Sequence, residues 1–126
     1  MSKRKGKMQN RFQVIIAGSR DFNDYDLLST KCDFLFSQKK PTKIISGCAN
    51  GADKLRIRYA KDNGIEVLEF PADWDKHGKS AGYIRNTEML KYADALIAFW
   101  DGKSKGTKHM ISIAKKKDIQ TRVIKW

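Results

Sequence analysis

The sequence predicts an α/β fold of Rossmann-like type, a three-layer sandwich around a five-stranded, mainly parallel sheet, and three observations carry that expectation. From Phe12 onward, short apolar runs rich in β-branched residues alternate with segments of helical period, the pattern of successive βα units. Each glycine-rich or polar cluster directly follows an apolar run, so these clusters gather along one edge of a parallel sheet. The length of 126 residues suits one core and not two.

The strands are expected at 12–17, 42–46, 66–70, 95–100 and 121–125. Most read as continuous apolar stretches, as strands covered on both faces do. The first helix begins near Asp24, a capping residue, and carries Leu28, Cys32, Leu35 and Phe36 on one stripe before Pro41 blocks continuation. The second runs from about Asn50 to Asn63 with Ala52, Leu55 and Tyr59 inward, and Gly64 is placed to end it in the left-handed conformation. The third, at 79–93, has an inward stripe of Gly82, Arg85, Asn86, Met89 and Ala93, which puts two polar residues on a buried face near the sheet's C-terminal edge. The fourth starts at Gly106 and Thr107, buries Met110, Ile111 and Ala114, and ends in Lys115, Lys116 and Lys117, cations suited to a helix C-terminus.

Composition narrows the function classes. The longest apolar stretch, 95–100, is far short of the roughly 20 residues of a membrane span, and no signal peptide opens the chain, so a cytoplasmic protein is expected. Cys32 and Cys48 have no CxxC or His-rich neighbourhood, and His77 and His109 sit in no HExxH motif. Disulfides and a transition-metal site are therefore not expected, and no cofactor is implied beyond Mg²⁺ carried in with a phosphate ligand. The formal charge of +12 favours anionic partners. Five of the cations, Lys3, Arg4, Lys5, Lys7 and Arg11, lie in residues 1–11, which read as a disordered basic arm ahead of a domain at 12–126. Such an arm serves as a solubilising tail or makes weak, non-specific contact with nucleic acid.

The loops carry the chemistry. Gly18, Ser19 and Arg20 follow the first strand, where glycine permits close backbone approach and the two side chains can donate to an anion. Ser46, Gly47, Asn50, Gly51 and Asp53 follow the second and run into a helix N-terminus, whose free N–H groups and dipole favour phosphate. Ser104, Lys105, Gly106 and Thr107 repeat that arrangement after the fourth strand. Neither a P-loop nor GxGxxG is present, which disfavours ATP-driven work and ordinary dinucleotide redox chemistry. In the long connection at 71–78, Trp74 is suited to stack on a base, and Asp73, Asp75 and His77 are candidate acid or base groups. For any one loop a tight turn, a capping residue or a solvated charge would explain the composition, and Arg85 and Asn86 would also serve as a buried ion pair and a loop-carbonyl partner. The whole set, with Arg20 and Arg85 converging on two helix N-termini, suits a phosphate at one end and a sugar or second phosphate at the other.

The stretches AGSRDF (17–22), ISGCANGADKL (45–55), PADWDKHGKSAGYIRNTEM (71–89) and DALIAFWDGKSKGTKHMI (94–111) resemble the YspA (cpYpsA-related) branch of the SLOG superfamily. The resemblance covers nearly everything after the arm. It implies a Rossmann-like nucleotide-binding domain taking ligands such as NAD or ADP-ribose, and relatives of this fold often form homodimers. More distant relatives of the LOG type cleave the N-glycosidic bond of nucleoside monophosphates with an arginine before a helical methionine and a glutamate after a PGGxGT loop. Arg85, Asn86 and Met89 match the first motif, and Gly106 and Thr107 keep the register of the second. Met110 stands where the glutamate would be and cannot act as acid, base or electrostatic stabiliser. Cys48 replaces a glycine usual in the second loop. A short, strongly basic chain of this kind suits a bacteriophage genome.

The expectation is binding of a nucleotide-derived ligand, with or without hydrolysis of its N-glycosidic or phosphoester bond. If hydrolysis occurs, Arg85 would act with a carboxylate replacing the missing glutamate, and Asp53, in the first turn of the second helix, is preferred over Asp73, Asp75 and Glu88. The alternatives are a non-catalytic sensor that sequesters a signalling nucleotide, and a nucleic-acid-binding protein acting through the arm and the lysine-rich C-terminal third.

Overall fold

The structure, a computed structural model, describes residues 11–18, 21–47, 52–72 and 74–126, apart from the side chains of Ala52, Asp53, Trp74 and Lys79. Its elements run β1 (Gln13–Gly18), α1 (Tyr25–Leu35), β2 (Lys43–Ser46), α2 (Ala52–Asp62), β3 (Glu66–Glu69), α3 (Trp74–His77), a 3₁₀ turn (Gly78–Ser80), α4 (Ala81–Leu90), β4 (Ala95–Trp100), α5 (Lys105–Lys116) and β5 (Gln120–Lys125). All four strand pairings are parallel, in the order β3-β2-β1-β4-β5.

Alternation along the central strands makes two cores. Val14, Ile16, Ile44, Ile97 and Phe99 pack with Leu28 and Cys32 of α1 and Tyr59 and Ala60 of α2. Their neighbours Ile15, Ile45, Leu96 and Ala98 face the opposite layer, with Met89 and Leu90 of α4 and Met110, Ile111 and Ala114 of α5. A residue period of two with both faces apolar is what a covered parallel sheet requires, and the result is the three-layer sandwich.

The helix boundaries follow local chemistry. Asp24 caps α1, its Oδ1 accepting from the Leu27 N–H at 3.0 Å. Gly64 ends α2 at φ +65°, which lets the Ile65 N–H reach back to the Ala60 carbonyl at 2.8 Å. The Ser104 hydroxyl caps α5, so that helix starts at Lys105, slightly ahead of the expected Gly106. Pro41 is not what stops α1, which ends at Leu35.

The structure corrects some of these expectations and adds to others. The third helix is shorter than 79–93, and its inward residues are Ala81, Asn86, Met89 and Leu90, while Arg85 is half-buried on the flank. On α2 the inward polar residue is Arg56, 3% exposed. The edge strands β3 and β5 are not covered on both faces: none of their residues is buried, β3 being half-buried at Val67 and Leu68 and β5 at Thr121 and Ile124. Part of the 71–78 connection also winds into α3, a single turn.

Cys32 is a buried free thiol, its pKa pushed up to about 12 by burial and by Asp33. Cys48 lies outside the described residues. No helix among the described residues is long and apolar enough to cross a membrane.

Candidate functional site

From β1 the chain moves outward to β2 and β3, then returns to lay β4 on the other side of β1. That reversal is the topological switch point of an open parallel sheet, and the crevice beyond the strand C-termini there is where such folds bind ligands. Gly18 pairs with Phe99, so β1 and β4 end together at this crevice. The ladder between β1 and β2 runs only to Ile15 and Ile45. Where those two strands part, the Arg56 guanidinium donates to the Ile16 carbonyl, satisfying a buried backbone acceptor that the sheet has released.

Helix α4 spans the crevice from above. Arg85 Nη1 donates to the Gly47 carbonyl at the end of β2, 2.7 Å away. Asn86 Nδ2 reaches the Gly106 carbonyl at 3.3 Å, in the first turn of α5. Arg85 Nε lies 3.3 Å from Asn86 Oδ1 and links the two side chains. Two adjacent residues thus tie the loop after β2 to the loop after β4, across the end of β1. The backbone at Gly47 permits this: a Cβ there would stand 3.0 Å from Arg85 Cδ and Nη1, too close for the guanidinium to lie where it does.

The loop after β4 is held from within. Asp101 Oδ1 accepts from the N–H groups of Lys103 and Ser104, both at 2.8 Å, and Trp100 Nε1 donates to the Ser104 carbonyl at 3.1 Å. Gly102 takes φ +84° in this turn, a conformation other residues adopt only with strain. The Ser104 hydroxyl meets the Thr107 N–H at 3.5 Å and the Thr107 hydroxyl at 3.3 Å. Ser104 and Thr107 therefore serve the cap. Lys105 and Gly106 are exposed at the helix start.

Of the residues selected from sequence, Gly47, Arg85, Asn86 and Gly106 are in mutual contact. Gly18 ends β1, and Ser46 is buried at the end of β2. Ser19, Arg20, Asn50, Gly51 and Asp73 lie outside the described residues. Asp53 and Trp74 are placed by backbone alone, in the first turn of α2 and at the start of α3. Met110 is 2% exposed within the apolar layer beneath α5, among residues such as Ile15 and Leu96. Among the described residues, no group of three or more His, Cys, Asp or Glu side chains is placed to hold a metal ion.

The sequence reading missed His109, Arg56 and Asp101. His109 Nδ1 stands 3.2 Å from Asn86 Nδ2, and its ring packs on Tyr83 with centroids 4.4 Å apart. Its pKa is lowered, first by burial and then by the charge of Lys116. Its signal was positional: His109 lies one turn after Lys105, off the apolar stripe of its own helix.

A family model described as YspA, cpYpsA-related SLOG family matches residues 12–77. The "Gene 61 protein" of Mycobacterium phage D29 is 37% identical over 117 residues, covering 85% of this chain and 91% of that protein. That relative is phage-encoded, in keeping with the genome type expected from length and charge. Among solved structures, methylglyoxal synthase from Elizabethkingia anophelis NUHP1 aligns with a TM-score of 0.49 and 13% identity, over 93% of this chain and 72% of that one.

Proposed function

Starting from the fact that the chain belongs to the YspA, cpYpsA-related SLOG family, we propose that it binds a nucleotide-derived ligand, phosphate and ribose together, in the crevice beyond β1 and β4. The observation that carries this reading is the Arg85–Asn86 bridge between Gly47 and Gly106 at the switch point of the sheet. It sets a guanidinium at the loop after β2 and links it, through Asn86, to the N-terminus of α5, two groups that favour anions. Ser19, Arg20, Asn50 and Gly51 extend the proposal to the first two loops, and Trp74 is the proposed stacking surface for a base. ADP-ribose, NAD and AMP are the ligands to test, by calorimetry for binding and by chromatography for products. Absence of binding by all three would refute the reading.

If the ligand is hydrolysed, the chemistry is not that of the LOG relatives. Position 110 belongs to the apolar core, so the carboxylate that would stabilise positive charge developing on the ribose has to come from elsewhere. Asp53, at the start of α2, is the proposed replacement, acting with Arg85. AMP is accordingly expected to be a poor substrate. Turnover of ADP-ribose or NAD should collapse in Asp53→Asn while calorimetric binding persists; undiminished turnover in that variant would remove Asp53 from the mechanism. Binding without products from any of the three would make the protein a sensor or sequestering protein.

A second reading, weak binding of nucleic acid, has its own observation. Besides Lys105 at the crevice, helix α5 carries Lys108, Lys115 and Lys116, all exposed, and no acid anywhere along it. Together with the basic arm this offers phosphodiesters a surface distinct from the crevice. Deleting residues 1–10 removes Lys3, Arg4, Lys5 and Lys7, and is expected to lower the salt needed to elute the protein from heparin while nucleotide affinity stays unchanged. Lost nucleotide affinity would place the arm at the crevice instead.

A further inference from the structure

We propose that His109 is a positioning residue of the crevice, setting the aim of the Arg85 guanidinium through the carboxamide of Asn86. The inference rests on the nucleotide reading for what Arg85 contacts, but its geometry stands in the protein alone. Asn86 is 5% exposed, so each of its polar atoms needs a partner. The Gly106 carbonyl, 3.3 Å away, can only accept, which makes the atom facing it Nδ2. Arg85 Nε can only donate, which makes the atom facing it Oδ1. The amide orientation is thereby determined from two sides.

One N–H of Asn86 goes to Gly106, and the other points at His109 Nδ1, 3.2 Å away. That nitrogen must accept, so the ring proton resides on Nε2. A hydrophobic side chain at 109 would leave a buried N–H unsatisfied and strip the carboxamide of one of its three anchors. With two anchors left, the Asn86 side chain is free to shift from its place, and Arg85 Nε loses the fixed acceptor that aims the arm reaching the Gly47 carbonyl. Protonating His109 has the same consequence, because both ring nitrogens then donate.

The surroundings favour the neutral ring. Tyr83 packs on it from α4, and Arg85 stands beyond Asn86 on the same helix. Lys105 and Lys116 lie one and two turns away along α5. Burial first, and then the charge of Lys116, oppose a positive charge on the ring. The folded-state pKa is depressed below the ordinary 6.5, so the arrangement is complete above 6.5 and is lost as pH falls through the lower folded value.

The test begins with the free wild-type protein. Two-bond ¹H–¹⁵N correlation should show the Nε2–H tautomer of His109 at neutral pH, and a slowly exchanging Arg85 Nε–H. His109→Leu should lose the Arg85 Nε–H signal and weaken AMP binding about three- to tenfold, the range one net hydrogen bond spans. His109→Asn, whose Oδ1 can accept in place of Nδ1, should restore both and abolish the loss of AMP affinity below pH 6.5. An Nδ1–H tautomer in the wild type, or equal Arg85 Nε–H signals in His109→Leu and His109→Asn, would overturn the proposal. If AMP, ADP-ribose and NAD all fail to bind, the nucleotide reading fails, and the tautomer and the Arg85 signal still decide the role of His109.

Discussion

Arg85→Ala should weaken ADP-ribose binding by about 10- to 150-fold, the effect of losing a charge-assisted contact of about 1.5–3 kcal/mol. The expectation follows from where Arg85 sits: half-buried on the flank of α4, with its guanidinium against the Gly47 backbone at the switch point. In the proposed site that guanidinium meets the ligand's anion, so its loss should fall mainly on binding. Calorimetry gives the affinity and thermal denaturation the stability. Unchanged affinity with a sharply lower Tm would make Arg85 a structural tie between α4 and the loop after β2, and the ligand site would have to be sought elsewhere.

The largest effect on stability is expected at Phe22. Its side chain is fully buried, stacks on Phe99 with centroids 4.9 Å apart and planes inclined by 18°, and meets the Trp126 ring at 5.2 Å. It closes one end of the core just after the loop that leaves β1. Phe22→Ala should cost about 3–5 kcal/mol from lost burial and the cavity left behind. For a domain of this size that corresponds to a Tm lower by about 10–20 °C. Because native stability amounts to only about 5–15 kcal/mol, the variant is also expected to populate unfolded chain near physiological temperature. A Tm drop of about 3 °C or less would mean that the neighbouring rings close over the gap, and that the turn at 21–24 is held by Asp24 rather than by the phenyl ring.

Both predictions depend on two kinds of information. The alternation of β-branched runs with helical stripes located all five strands, because a short apolar run between helical stripes is a local property, imprinted most strongly on β1, β2 and β4, which are buried on both faces. Asp24 as a cap and Gly64 as a left-handed terminator were legible for the same reason, each being a backbone requirement met by one residue type. So was the gathering of the loops on one edge, which follows once all strands are parallel. Arg85 and Asn86 were marked by spacing on a helix that otherwise buries apolar residues.

Spacing could not say what those residues touch. A helical wheel places Arg56 beside Leu55 and Tyr59, but only the divergence of β1 and β2 after Ile15 and Ile45 releases a carbonyl for a guanidinium to take. Likewise, His109 is one more polar residue on a lysine-rich helix until α5 packs against α4 and brings its Nδ1 to Asn86. The edge strands show the same limit, since exposure of β3 and β5 is set by strand order, and strand order is a consequence of crossovers that no local pattern encodes. By itself the sequence determined the layers, the elements and the edge on which the loops collect, because those depend on periods of two and 3.6 and on single backbone requirements. The tertiary structure alone decided the hydrogen-bond partners of Arg56, Arg85, Asn86 and His109, because a buried polar group is satisfied by whatever the packing of distant segments brings within about 3 Å of it.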